Sequence, residues 1–534
     1  MQNLFSDYIY LILIIIGLIM LANKLRIAYP IILVLGGLAL SFAKTFSHIT
    51  IDPELIFFIF LPPLLYEAAW QTSWKEFWKW RRIITSFAFP IVIITSCVVA
   101  FASNAIIPGF TLALGFLLGG IVSPPDAVSA TTILRQVNAP KRLISIAEGE
   151  SLLNDASSLI VFRFALAAII TGQFHIQEAA ASFVVVIGMG TFIGVVIGFI
   201  FYSIHRWLPT TSSIEIVLTL VTPYCMYYAA EYFHFSGVLA VVAGGLLLSS
   251  KRQTMLNYRS RLESVNVWSS FVFVLNGLIF FLIGLQLPSV TRQLGDIGIG
   301  KAIAYGLSVS LVLIIVRLAS AFGASVFTRF MSRFITVADA SPGWKVPMIF
   351  GWAGMRGVVS LAAAFSIPLY VNQQPFPHRN LILFITFIVI LVTLVLQGLT
   401  LPWVIRKVNV EDADDAIPEL EQEKIIQKKM AHYSLQFLEE KYGEHLLDNE
   451  HFNNLKTKLR SELDYFNRLF ETQGHHTDHS LRDYHNIYLE LLNEQRKILN
   501  KMNQKAEFDE DIIRKYHSLI DIEELKVREK KLDI

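Results

Sequence analysis

Apolar runs of about 20 residues recur along this chain as far as residue 405. Each is long enough to carry a helix across a hydrocarbon core of ~30 Å. A backbone in hydrocarbon must satisfy its own amides, and a helix does so within one segment. The runs therefore predict an all-α polytopic membrane protein. Thirteen candidate transmembrane helices follow, at about 8–22, 28–43, 54–70, 83–107, 109–131, 144–171, 181–204, 214–233, 236–250, 268–287, 300–327, 345–370 and 380–405. Of the 534 residues 54% are hydrophobic, and mean hydropathy is +0.52, too apolar for a soluble protein of that length.

From residue 408 the composition flips. Residues 408–534 hold 28 acidic and 19 basic side chains, against 15 acidic and 26 basic in residues 1–407, so the net charge of +2 conceals a basic membrane part and an acidic tail. Two domains are expected, a transmembrane domain (1–407) and a solvated, helical tail (408–534). Between the spans, alternate loops differ sharply. One set carries nineteen Lys and Arg side chains, among them Arg81, Arg82, Arg135, Lys141 and Arg142; the other carries Lys44, Arg292, Lys301 and Arg379. The positive-inside rule then puts the N-terminus outside and the tail in the cytoplasm, in agreement with an odd number of spans. Cys97 and Cys225 lie in apolar runs, with no spacing for a disulfide framework or a metal. The first run lacks a basic leader and a cleavage site, so 8–22 reads as a retained span.

Two spans are interrupted. The fifth contains Gly119, Gly120, Ser123, Pro124, Pro125 and Asp126, and the twelfth contains Gly351, Gly354 and Gly357 around Arg356. Pro-Pro removes two amide donors and clashes with the preceding turn. Irregular backbone at membrane depth requires protein or a wet cavity around it. Spans 1–6 and 8–13 pair at an offset of seven, which matches the two breaks and leaves span 7 as a linker. Matched breaks of this kind mark inverted-repeat transporters.

Ionisable side chains inside spans are expensive and mark functional sites. Here they are Glu67, Asp126, Glu148, Glu150, Asp155, Arg163, Arg317 and Arg356. Ser151, Asn154, Asp155 and Ser158 share one helical face. Asp155 lies about ten residues from the cytoplasmic end of its span, or ~15 Å, close to the bilayer midplane. Carboxylate, hydroxyl, amide and freed carbonyl oxygens near Pro125 and Asp126 suit a hard monovalent cation such as Na⁺. A carboxylate that holds either the cation or a proton, never both, couples their flows. Asp126 could alternatively cap a half-helix, and Glu67 could serve helix packing. Glu150 and Arg356 are expected to form a buried structural ion pair, with Arg163 and Arg317 as further structural charges.

Several motifs resemble those of the sodium/proton exchangers. Phe60-Leu61-Pro62-Pro63-Leu64-Leu65-Tyr66-Glu67-Ala68 resembles their proline-rich third span. Glu150-Ser151-Leu152-Leu153-Asn154-Asp155 is similar to their cation-site motif. Ser123-Pro124-Pro125-Asp126-Ala127-Val128 and Gly354-Met355-Arg356-Gly357 resemble the two crossing helices of the bacterial NhaP-like branch. The resemblance covers about 1–407, with the motifs in order. It implies thirteen helices in an inverted repeat, a core moving against a dimerisation domain, and a homodimer. It also implies Asp155 as the shared Na⁺ and H⁺ site, with Ser151, Asn154 and Glu67 nearby, and a Glu150–Arg356 bridge. Asn154, where electrogenic relatives carry a second Asp, implies electroneutral exchange. One position departs: Pro125 stands where many members have Thr, which removes a hydroxyl ligand and bears on Na⁺ against K⁺ preference.

The expected function is Na⁺/H⁺ antiport, with Li⁺ or K⁺ as further cations, serving pH and cation homeostasis at the cell membrane (the bacterial inner membrane). A K⁺/H⁺ antiporter using the same site is the alternative. A cation channel would want filter-like rings, and an intramembrane hydrolase would want paired catalytic groups; neither pattern is visible. No cofactor, enzymatic activity or nucleic-acid partner is expected. The tail's apolar periodicity (Ile425, Ile426, Met430, Leu435, Leu438, Leu489, Leu491, Leu492) reads as amphipathic helices. Glu411–Asp415 reads as a hinge and His475, His476 and His479 as solvated tail.

Overall fold

The structure, a computed structural model, describes residues 2–42, 56–172, 176–292, 294, 298–334, 343–371, 373–410, 419–442, 450–471, 477–503 and 510–532. The membrane part runs through α1 (Gln2–Leu25), α2 (Tyr29–Leu40), α3 (Leu61–Gln71, after a π-helical turn at Ile56–Phe60) and α4 (Trp74–Ile106). It continues through α5 (Leu112–Val122), α6 (Ala127–Gln136), α7 (Lys141–Thr171), α8 (Ile176–Trp207), α9 (Ser212–Tyr232), α10 (Gly237–Met255) and α11 (Tyr258–Leu285). It closes with α12 (Ile299–Met331), α13 (Lys345–Trp352), α14 (Val358–Phe365) and α15 (Arg379–Val408). Every predicted span overlaps helix here, and the two predicted as interrupted are the pairs α5/α6 and α13/α14. Among the described residues, eight segments are long and apolar enough to cross a membrane, and α1 and α2 supply shorter apolar stretches.

Helix starts in this setting need donors satisfied by protein, and short polar side chains do it. Thr111, Asp126, Ser236 and Asn257 accept from the backbone N–H of Leu114, Ser129, Leu239 and Ser260. The long α7 ends on Gly172, whose φ of 70° a side-chain-bearing residue adopts only with strain. Within α4, Pro90 has no N–H to give, and the chain answers with a π-helical turn at Phe87–Ile91. The Ala88 carbonyl in that turn accepts from Ser157 Oγ of α7 at 2.5 Å.

Close packing is set by small residues. A methyl built on Gly115 would lie 2.6 Å from the Ala100 carbonyl oxygen, and one on Gly119 would lie 2.5 Å from that of Ser96. This GxxxG pair lets α5 press directly on α4. Two hydrophobic cores result. One gathers α1, α2, α5, α12 and α15 with the C-terminal end of α11. The other gathers Tyr66, Trp70, Met226, Ala240 and Trp268 from α3, α9, α10 and α11, and takes Leu152 and Ala156 from α7.

The chain divides at Asp412/Ala413, five residues beyond the boundary expected from composition. The second unit contains α16 (Glu419–Tyr442), α17 (Glu450–Glu471), α18 (Thr477–Asn503) and α19 (Glu510–Leu532). α16 packs on α17, and α18 packs on α19. Arg496 clamps Asp521 at 2.6 Å and Glu524 at 2.5 Å across the second hairpin. Leu435, Leu438 and Leu492 are buried as the periodicity predicts, whereas Ile426, Met430 and Leu491 are exposed. The Glu411–Asp415 hinge, and His475 and His476, lie outside the described residues.

Candidate functional site

The two broken helices meet at their breaks. The Asp126 N–H donates to the Met355 carbonyl at 2.7 Å. A methyl on Gly357 would lie 2.7 Å from Asp126 Cγ, so the glycine is what allows the approach. Asp126 Oδ2 accepts from the N–H of Ser129 (3.1 Å) and from its hydroxyl (2.6 Å). The Asp126 carboxylate is thus the N-cap of α6 and lies against the start of α14, two helix ends whose dipoles favour a negative group. Arg356 complements it. Its Nε donates to the Val122 carbonyl at 2.8 Å, its Nη2 to that of Ser123 at 3.3 Å, and its Nη1 to that of Gly354. One fully buried guanidinium therefore satisfies the orphaned carbonyls at the end of α5.

The expected face of α7 docks on the first break. Asn154 Nδ2 donates to the Pro125 carbonyl at 3.2 Å, and Ser151 Oγ accepts from the Ala127 N–H at 3.4 Å. Asn154 is fully buried, and its Oδ1 has no protein donor. Asp155 is 6% exposed, with no side-chain hydrogen bond or ion pair among the described residues. A carboxylate in such a place, free of a structural partner, is open to a cation or a proton.

The predicted Glu150–Arg356 bridge is corrected. Glu150 pairs with Arg317 of α12, both side chains less than 5% exposed, and the Arg317 guanidinium also stacks 5.2 Å from the Phe87 ring centre. Arg356 is committed to backbone carbonyls. The physical reason is the break itself: three freed carbonyls converge on Arg356, and Glu150 faces α12 instead.

Asp155, Asp126, Ser151 and Glu67 line one cavity of about 350 Å³ at the seam of the two cores. Glu67 of α3 is half-buried and accepts from Gln71. Tyr29, Thr131 and Thr132 line the same space, as do Ser269, Val272, Phe273 and Asn276 of α11. At one end Arg135 and Glu148 form a 2.7 Å ion pair, at 59% and 22% side-chain exposure. Glu148, Ser151 and Asp155 stand at i, i+3 and i+7, so one face of α7 leads from that pair to the buried carboxylate. Pro125 and Glu150 line a smaller void on the other side of the break. No group of three or more His, Cys, Asp or Glu fit for a resident metal occurs among the described residues.

The family model for the sodium/hydrogen exchanger transmembrane domain matches residues 10–407. This chain belongs to that family. A sodium, potassium, lithium and rubidium/H⁺ antiporter of Bacillus pumilus is 33% identical over 84% of this chain and 69% of its own. The low-affinity Na⁺/H⁺ antiporter NhaS1 of Synechocystis is 35% identical over 76% of this chain and 74% of its own. Among solved structures, the sodium proton antiporter MjNhaP1 of Methanocaldococcus jannaschii shares the fold, at a TM-score of 0.58 and 18% identity. It covers 77% of this chain and 100% of that one.

In this exchanger the residues expected to gather do gather: Ser151, Asn154, Asp155, Pro125 and Asp126 at the first break, and Glu67 across the cavity. Three partners were not foreseen. Arg317 as the mate of Glu150 and Arg135 as the mate of Glu148 are long-range pairings that no local spacing encodes. Asn276 was visible as an amide inside an apolar run, without the charge that marks a costly residue.

Proposed function

We propose that this exchanger is a secondary antiporter that carries Na⁺ and H⁺ in opposite directions through one site, Asp155, by alternating access. The observation that carries the reading is a buried carboxylate without a structural partner, set beside two touching helix breaks and open to a cavity. Ser151, Asn154 and the Pro125 carbonyl would supply neutral oxygens beside it, and Glu67 would stand on the approach. Asp126 serves chiefly as the cap that shapes the break. One negative charge that takes either Na⁺ or H⁺ gives one-for-one, electroneutral exchange, since Asn154 adds no second titrating group.

The sidedness follows from charge. Arg135, Lys141 and Arg142 belong to the basic set of loops, so the cavity mouth at Arg135–Glu148 faces the cytoplasm under the positive-inside rule. The conformation is then inward-open. We further infer a homodimer in the cell membrane, a cytoplasmic tail that regulates, and a role in pH and cation homeostasis. A second reading, with K⁺ as the principal cation, is favoured by Pro125, which offers a carbonyl where a hydroxyl would tighten the site. Dissipation of ΔpH in proteoliposomes on adding Na⁺, Li⁺ or K⁺ in turn tests both. Asp155→Asn should leave the fold intact and abolish the response to all three, and full cation-driven dissipation by that variant would overturn the assignment.

A further inference from the structure

The wall of the cavity formed by α11 presents Ser269, Val272, Phe273 and Asn276, one helical face at i, i+3, i+4 and i+7. Asn276 is the deepest polar group of that wall. It is 5% exposed, and its carboxamide oxygen has no hydrogen-bond donor. Its neighbours Leu275, Ile279 and Phe280 are apolar and buried. Other asparagines of the membrane part have structural work: Asn104 donates to the Phe110 carbonyl, Asn154 to that of Pro125, and Asn257 caps α11. Asn276 has none of these roles, and an unpaired buried carbonyl persists against its desolvation cost.

We propose that Asn276 is a specificity-determining residue of the exchanger, giving a carbonyl oxygen to the partly dehydrated alkali cation in the cavity as it reaches Asp155. The inference rests on the reading of Asp155 as the cation site. A hard cation leaving water needs oxygen ligands; α7 and the first break supply some of them and Glu67 of α3 another. The Asn276 amide adds a neutral oxygen from the α11 wall. Because a carboxamide does not titrate, it acts on the cation-loaded limb alone and leaves the exchange electroneutral. As a neutral ligand on a different helix from the Asp155 carboxylate, it is a selector among Li⁺, Na⁺ and K⁺ rather than the anchor.

The test uses the full-length protein in proteoliposomes, with Li⁺, Na⁺ and K⁺ as probes. Asn276→Ala should raise the apparent KM for the preferred cation about 10-fold or more, change the ratio of KM values among the three ions, and leave the maximal rate nearly unchanged. Asn276→Thr, which keeps an oxygen, should recover much of the affinity. A structural role would lower the maximal rate for all ions alike without moving their ratio. Equal KM values and an unaltered ion ratio in both variants would overturn the proposal, as would equal losses in Ala and Thr. Asp155→Asn run alongside separates the two readings. If it transports, the site assignment falls; if it is inert while Asn276→Ala keeps native KM values, only the role of Asn276 falls.

Discussion

At the scale of single residues, the face of α7 proposed to hold the cation is legible because helical periodicity places Ser151, Asn154 and Asp155 together whatever the tertiary structure. The partner of Glu150 was not, because a buried carboxylate needs a cation nearby without specifying which one. The Glu150–Arg317 pair yields a direct test. Removing one member of a buried pair strands the other charge and typically costs ~3–5 kcal/mol. Glu150→Gln and Arg317→Gln should each lower the melting temperature in detergent sharply, and the double variant should be more stable than the two losses added together. Additive losses would show that the two side chains do not depend on each other. Gly357→Ala is expected to be severe for a different reason: its methyl would lie 2.7 Å from Asp126 Cγ. Cation-driven ΔpH dissipation should fall further than for Gly343→Ala, where a methyl meets open space.

At the scale of elements, the breaks were readable from Pro-Pro and the glycines, while their mutual contact was not. Sequence gives the offset of seven; only folding brings the Asp126 amide to the Met355 carbonyl. The GxxxG contact of α5 with α4 is similarly local in cause and non-local in effect. Gly115→Ala and Gly119→Ala should each cost ~1–3 kcal/mol as the methyl is forced against a backbone carbonyl, read as loss of thermal stability. On the face of α7 beyond Asp155, Arg163 pairs with Glu231 of α9 at 2.7 Å, and Glu231 also accepts from the Gly237 N–H at 3.1 Å.

At the scale of the whole molecule, the hydrophobic and the charged segments of the chain obey different solvents, and the chain divides into two compact units at Asp412/Ala413. The residues proposed to bind the cation all precede that division. Truncation after Asn409 should keep ion selectivity and shift the pH–activity profile; a folded truncation with no exchange at any pH would place the tail inside the transport machinery. Arg528, and after it Arg496, hold the Glu524 carboxyl below its ordinary range. A depressed carboxyl contributes fully above its unfolded value and is lost only as pH falls through the lower one. The tie between the two breaks has a mechanical consequence. The Asp126 amide on the Met355 carbonyl, the Arg356 guanidinium on the Val122 and Ser123 carbonyls and the close approach of Gly357 to Asp126 tie the two breaks together; on the alternating-access proposal the site then travels as one body past the α11 wall. Spin labels placed across the seam, at Val128 and Phe273, should report distances that change with cation and pH. Labels on α6 and α14 should keep time together, like two marks on the same piston.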